Sequence, residues 1–186
     1  MLLGLALAGL LAAACAPARL VGTEITPTAA PDLTLTDGIG GSAVTLSAQR
    51  GKVVVLAFLY THCPDVCPLT AELFRQTRAA LGATERDRTL FAAISVDPRQ
   101  DTPAAVQAFA RDHGLTSGFV YLIGGPAQLQ PVWSAWGIRV DPDAAPPTVG
   151  HSDAIYLLDV KGNVRALVHS DIAPQDLASD VRLLAR

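Results

Sequence analysis

Two cysteines bracket the stretch Cys63-Pro64-Asp65-Val66-Cys67-Pro68, where an apolar run over 52–60 gives way to a helical pattern beginning at Leu69. A cysteine at a helix start sits in the positive field of the first turn, which favours thiolate over thiol. The thiolate attacks disulfides and binds soft metals, so this position serves redox chemistry and metal binding alike. Three residues separate the sulfurs, one more than in a C-x-x-C redox pair. If the stretch is helical, positions i and i+4 lie one above the other and both sulfurs face a common point. A bound ion or a Cys63–Cys67 disulfide would fill it.

The elements that must position these cysteines follow from composition and pattern. A chain of 186 residues, half of them apolar, suits one domain with a full core. Fourteen Lys+Arg against seventeen Asp+Glu leave a net charge of −3 with no basic run, which argues against a nucleic-acid partner. Residues 1–14 are all apolar or glycine and end at Cys15, which reads as an export segment. It is too short for a span of about 20 residues. The run Leu11-Ala12-Ala13-Ala14-Cys15 resembles a bacterial lipoprotein signal, with Cys15 as the acylated residue. A plain signal peptide and a retained anchor stay open, because the positive n-region is missing. Each places the domain outside the cytoplasm, in the periplasm or cell envelope, and an anchored form is tethered to the membrane. Residues 15–31, rich in Thr, Pro and Ala, read as the tether, and folding is expected to start near Asp32, with one domain over 32–186.

Within that domain, 32–37 and 43–46 alternate apolar and polar residues around Gly38, Gly40 and Gly41, which predicts a β-hairpin. Residues 52–60 read as a strand buried on both faces. After the cysteines, Leu69, Leu73, Ala80 and Leu81 share one helical stripe until Gly82 stops it. Residues 90–96 are the next buried strand, and a helix opens at Asp101-Thr102-Pro103 with Val106, Phe109 and Ala110 facing inward. A strand over 119–123, a helix over 126–136, an irregular proline-rich stretch over 140–151, a hairpin over 154–169 and a helix over 174–184 complete the order. This alternation predicts an α/β fold, thioredoxin-like, with a central mixed sheet flanked by helices and an N-terminal β-hairpin.

Three segments together resemble the Sco (SenC) family, membrane-tethered thioredoxin-fold proteins that handle copper for the Cu(A) centre of cytochrome c oxidase. They are Thr61-His62-Cys63-Pro64-Asp65-Val66-Cys67-Pro68, then Ser95-Val96-Asp97-Pro98 with Asp101-Thr102-Pro103, and Val149-Gly150-His151-Ser152-Asp153-Ala154-Ile155-Tyr156-Leu157. The resemblance implies that Cys63, Cys67 and His151 bind copper. Gly150 stands where the family often has an acidic residue, which alters the electrostatics of the site without removing a ligand. Donor chemistry agrees, since thiolates favour Cu(I) and an added imidazole lets the set accept Cu(II) as well. The other ring nitrogen of His151 is expected to donate to a carbonyl or carboxylate. As partners the resemblance implies the oxidase subunit that carries the Cu(A) site, the membrane and an upstream periplasmic copper donor. A second reading is a thiol–disulfide oxidoreductase that reduces the Cu(A) cysteine pair, with Cys63 or Cys67 as nucleophile.

Blander roles compete at each position. A structural Cys63–Cys67 disulfide closes so short a loop that it adds little chain-entropy stabilisation, and the alternative for His151 is a solvent-facing loop residue. His62 is adjacent to Cys63 and is expected to point away from it. His113 and His169 read as surface residues or helix-dipole partners, and Asp65 as a first-turn acid. Asp97 and Asp101 follow a strand's C-terminal end, where ligands of open α/β sheets gather, but turn and capping chemistry accounts for both equally well. Trp133 and Trp136 fit the core or a partner surface. A peroxidase of thioredoxin fold is disfavoured, because the residues before Cys63 lack the Thr and Pro constellation of those enzymes.

Overall fold

The structure is a computed structural model, and it describes residues 19–115, 117–141 and 149–186. The expected export segment, Cys15 and residues 142–148 of the proline-rich stretch lie outside these. In chain order the strands are β1 (Thr23–Ala29), β2 (Thr34–Asp37), β3 (Ala43–Thr45), β4 (Val53–Leu59), β5 (Thr89–Ser95), β6 (Phe119–Ile123), β7 (Val140–Asp141), β8 (Gly150–His151), β9 (Ile155–Leu158) and β10 (Asn163–Val168). The helices are α1 (Val66–Ala80), α2 (Ala83–Asp87), α3 (Pro103–Asp112), α4 (Pro126–Ala135) and α5 (Pro174–Leu184).

Eight strands form one sheet in the order β1-β10-β9-β4-β5-β6-β2-β3, and β7 pairs separately with β8. β4 and β5 are buried at every position, as strands covered on both faces must be. They run parallel to each other and to β6, with Phe58 beside Ile94 and Ile94 beside Leu122. Parallel neighbours need crossovers, which α1 and α3 supply. On the other side β9 runs antiparallel to β4, and β10 returns as its hairpin mate. The expected N-terminal hairpin is present as β2 and β3, and it extends the β6 edge. The mixed sheet with flanking helices is the thioredoxin-like arrangement expected from the element order.

Folding starts earlier than Asp32. Residues 23–29, expected as tether, form β1, antiparallel to β10. This edge strand is exposed at every position but Ile25, so it shows no apolar alternation. Its register shifts between Glu24 and Thr28, around Pro27, a residue that has no N–H for the ladder. The α1 stripe differs as well. Leu73 is buried, but Leu69 is 57% exposed, and the buried face also takes Cys67, Thr70, Ala71, Phe74 and Thr77. Among the described residues no helix is long and apolar enough to cross a membrane.

Candidate functional site

β4 ends at Leu59 and α1 starts at Val66, so Cys63 lies just outside the helix and Cys67 in its first turn. The two are therefore not stacked on one helix face. Instead the backbone N–H of Cys67 donates to Cys63 Sγ, at 3.4 Å. Asp65 occupies the N-cap, but its side chain makes no capping bond. The sulfur of Cys63 takes that acceptor role at the helix start, where the first amides have no intrahelical partner.

Both cysteines are free thiols, Cys67 at 0% exposure and Cys63 at 8%. Cys63 is held well below the ordinary thiol range, chiefly by the side-chain thiol of Cys67. The His151 ring and the backbone amides of Asp65 and Cys67 add to this against the cost of burial. Cys67 is pushed up by the Cys63 sulfur beside its thiol and by burial. A single negative charge on the pair therefore resides on Cys63, the outer sulfur.

His151 is carried by β8, and its pairing with Val140 of β7 fixes its backbone. That two-residue ladder gives structure to both ends of a stretch that reads as irregular in sequence. Nδ1 lies 3.0 Å from the Ser152 carbonyl oxygen. A carbonyl only accepts, so Nδ1 carries a proton and the Nε2 edge faces the sulfurs, 3.9 Å from Cys67 Sγ. This is the outer partner expected for a ligating histidine. His151 also lines an open cleft of about 530 Å³ with Arg139, Val140, Asp141, Gly150 and Ser152, so the histidine side of the site is reachable from outside.

The donor set fits a soft metal ion. Bonds of about 2.3 Å to sulfur and about 2.0 Å to nitrogen put two ligands of one ion about 3.6–3.8 Å apart, close to the 3.9 Å between Cys67 and His151. Among the described residues no three His, Cys, Asp or Glu side chains already converge in ligating geometry. Closing the set around an ion thus requires a side-chain adjustment.

Two neighbours complete the arrangement. The Tyr60 ring stands edge-on to His151, with centroids 5.7 Å apart and planes at 87°. Its hydroxyl is pushed up to about 12, chiefly by burial, with the Cys63 sulfur adding to the shift. In sequence Tyr60 reads only as the end of a buried strand, and the available signal was a polar-tipped aromatic at a parallel strand's C-terminal end. Asp101 is buried and accepts from the Thr61 N–H at 2.8 Å, Thr61 Oγ1 at 2.8 Å, Ser95 Oγ at 2.6 Å and Tyr121 Oη at 3.2 Å. It ties the start of the cysteine loop to β5 and β6, while Thr102, not Asp101, caps α3.

The remaining candidates lie elsewhere. Asp97 turns onto Arg99 N and Gln100 Nε2. His62 Nδ1 lies 3.0 Å from Thr61 Oγ1, His113 stacks near Phe109, and His169 Nδ1 donates to the Asp153 carbonyl at 2.6 Å. Both tryptophans belong to the core: Trp133 Nε1 donates to the Ser95 carbonyl, and Trp136 packs on Phe58 and Tyr156.

A dithiol at the C-terminal end of a central parallel strand, seated on a helix start and faced by a histidine from the loop before an antiparallel strand, defines a thioredoxin-like protein with a sulfur and imidazole donor set. The chain belongs to the SCO1/SenC family, whose model matches residues 25–186. The SCO2-like protein of Rickettsia conorii is 26% identical over 138 residues, 72% of this chain and 66% of that relative's length. Among solved structures, apo Sco1 from Thermus thermophilus superposes with a TM-score of 0.76 at 25% identity, covering 89% of this chain and 97% of that one. ScoI of Bradyrhizobium japonicum, solved with copper bound, gives 0.74 at 29% identity over 84% and 99%.

Proposed function

We propose that this protein carries copper on Cys63, Cys67 and His151 and delivers it to the Cu(A) site of cytochrome c oxidase during assembly. The observation that carries this reading is the convergence of the Nε2 edge of His151 with Cys67 Sγ, at 3.9 Å, beside the Cys63 thiolate. Membership of the Sco family and the copper bound by the Bradyrhizobium relative support it. Copper is cargo here. Loading displaces the Cys67 proton, so binding is coupled to pH. His151 opens onto the cleft and Cys63 is the outer sulfur, so a partner's thiolates replace the ligands one at a time from that side without releasing a free ion. The protein works in the periplasm or cell envelope, tethered through its N-terminal segment, with Cys15 as the acylated residue, and receives copper from an upstream donor.

A second reading is supported by the opposite environments of the two thiols, which hold Cys63 low and push Cys67 up. The Cys63 thiolate attacks a target disulfide and forms a mixed disulfide, releasing one target thiolate. Cys67, losing its proton, then displaces the second target sulfur. The target gains two electrons and Cys63–Cys67 becomes a disulfide.

A Cu(I) titration of the reduced protein against a competing chelator separates the two. Copper carriage predicts one tight equivalent, weakened more than about 100-fold in His151→Ala, beyond the cost of losing an outer partner. Disulfide exchange by that variant stays within a few-fold. Weak, non-stoichiometric copper binding together with rapid reduction of a disulfide substrate establishes the second reading.

A further inference from the structure

We propose that the tether holds the domain with the cysteine end of its sheet turned toward the membrane. This rests on the reading of residues 1–14 and Cys15 as an anchor, and on Cys63, Cys67 and His151 as the copper site.

Strand directions carry the argument. Thr23 pairs with Leu167 and Ala29 with Asn163, so β1 begins beside the end of β10. Val168 of β10 pairs with Ile155, the first residue of β9, and Ile155 pairs with Ala57 near the end of β4. The chain therefore enters the fold at the end of the sheet where β4 delivers Cys63 and where His151 feeds β9. β1 is two strands from β9 and three from β4, about 10–15 Å at the usual strand spacing.

The entry point is pinned. Asp180 of α5, at 0% exposure, accepts from the backbone N–H of Val21 at 2.7 Å and of Gly22 at 3.0 Å. A side chain at Gly22 would place its Cβ 2.5 Å from Val168 Cγ1, so the strand enters in close contact with β10. The seven residues from Ala16 to Gly22 reach at most about 25 Å when fully extended. A membrane anchor at Cys15 thus keeps this end of the sheet within about 25 Å of the surface, and with seven-residue strands about 23 Å long the opposite end reaches the bilayer only when the tether is almost fully extended.

The exposed apolar residues agree. Val21, 56% exposed, marks the chain entry, and Leu69, 57% exposed, stands on α1 two residues beyond Cys67. Both lie at the cysteine end. The opposite end carries Arg50, Lys52, Arg88 and Lys161, all exposed. An orientation set by attraction to anionic lipid would bring that end to the bilayer, the reverse of the one proposed.

The test uses the full chain in phosphatidylcholine vesicles doped with a headgroup-bound quencher, carrying a genetically encoded fluorescent residue at Leu69 or at Lys161. Quenching several-fold stronger at Leu69 than at Lys161 is expected. Inserting about twenty flexible residues after Pro17, long enough for the domain to reorient, should shrink the difference while copper affinity stays within two-fold. Equal quenching, or stronger quenching at Lys161, overturns the orientation. Failure of the chain to associate with vesicles overturns the anchor and the orientation together. Absent copper binding with the quenching difference intact overturns the copper reading alone and leaves the orientation standing.

Discussion

Cys63 Sγ lies 3.4 Å from the backbone nitrogen of Cys67 and accepts its N–H, the bond that the Asp65 side chain does not make. The sulfur is thus a structural cap as well as a reactive group. Cys63→Ala leaves a first-turn amide without its acceptor and should destabilise the reduced protein by about 1 kcal/mol. Cys63→Ser keeps an acceptor and should lose less than half of that. Urea unfolding under reducing conditions compares them, and equal losses would show that the sulfur does no capping.

The two thiols should titrate far apart. Cys63 is held low chiefly by the Cys67 thiol, and Cys67 is raised by the Cys63 sulfur and by burial. In the native reduced protein, alkylation of Cys63 by iodoacetamide should follow a pH midpoint well under the ordinary thiol value of about 8.5. The rate falls only when the pH drops through that midpoint and the thiolate takes up a proton. Cys67 should stay unmodified through neutral pH. Cys67→Ala removes the main donor and should move the Cys63 midpoint upward, with peptide mass spectrometry assigning the modified residue. A native Cys63 midpoint near 8.5 contradicts this assignment.

Sequence pattern was sufficient where a local signal and the final environment coincide. The apolar runs around Val55 and Ala92 are buried strands, and the cysteine stretch does open a helix. His151 stands before β9, as its motif implies, and its outer nitrogen finds a carbonyl. Legibility failed where structure depends on a distant surface. β1 has no apolar rhythm because nearly all of it faces solvent. It exists because β10 offers a free edge and Asp180 holds Val21 and Gly22. Leu69 looks like a core position by spacing, but the buried face of α1 includes Thr70 and Thr77, whose hydroxyls mask its period. Tyr60 and Asp101 acquire their places only when β4, β5 and β6 bring separate segments together.

Tyr60 should act on the site through its hydroxyl and its ring separately. The hydroxyl is coupled electrostatically to Cys63, and the ring supports His151 edge-on. Tyr60→Phe removes only the hydroxyl. Cu(I) affinity should fall by about 10-fold or less, and the Cys63 alkylation midpoint should rise. Tyr60→Ala removes both supports and should cost about 10–100-fold in affinity. Matched chelator competitions on the two variants check the order, and identical losses would mean that the ring contributes nothing to the position of His151.

Asp101 should give the fold a pH dependence opposite in sign to that of an ordinary paired carboxylate. Burial pushes its pKa above the ordinary value of 3.8, against the hydrogen bonds from Ser95, Thr61 and Tyr121. The native state therefore holds this proton more tightly than the unfolded chain does. The corresponding stabilisation is full below about pH 3.8 and is lost as the pH rises through the native value. Asp101→Asn has no proton to lose at this position. It also leaves some of the Thr61, Ser95 and Tyr121 donors unpaired, at a cost of about 1–3 kcal/mol. The unfolding free energy of the wild type minus that of the variant should accordingly decline from acid to neutral pH, as measured by urea titrations between about pH 3 and 7. A difference that grows with pH would mean that the four donors outweigh burial and that Asp101 is held as a stabilised carboxylate.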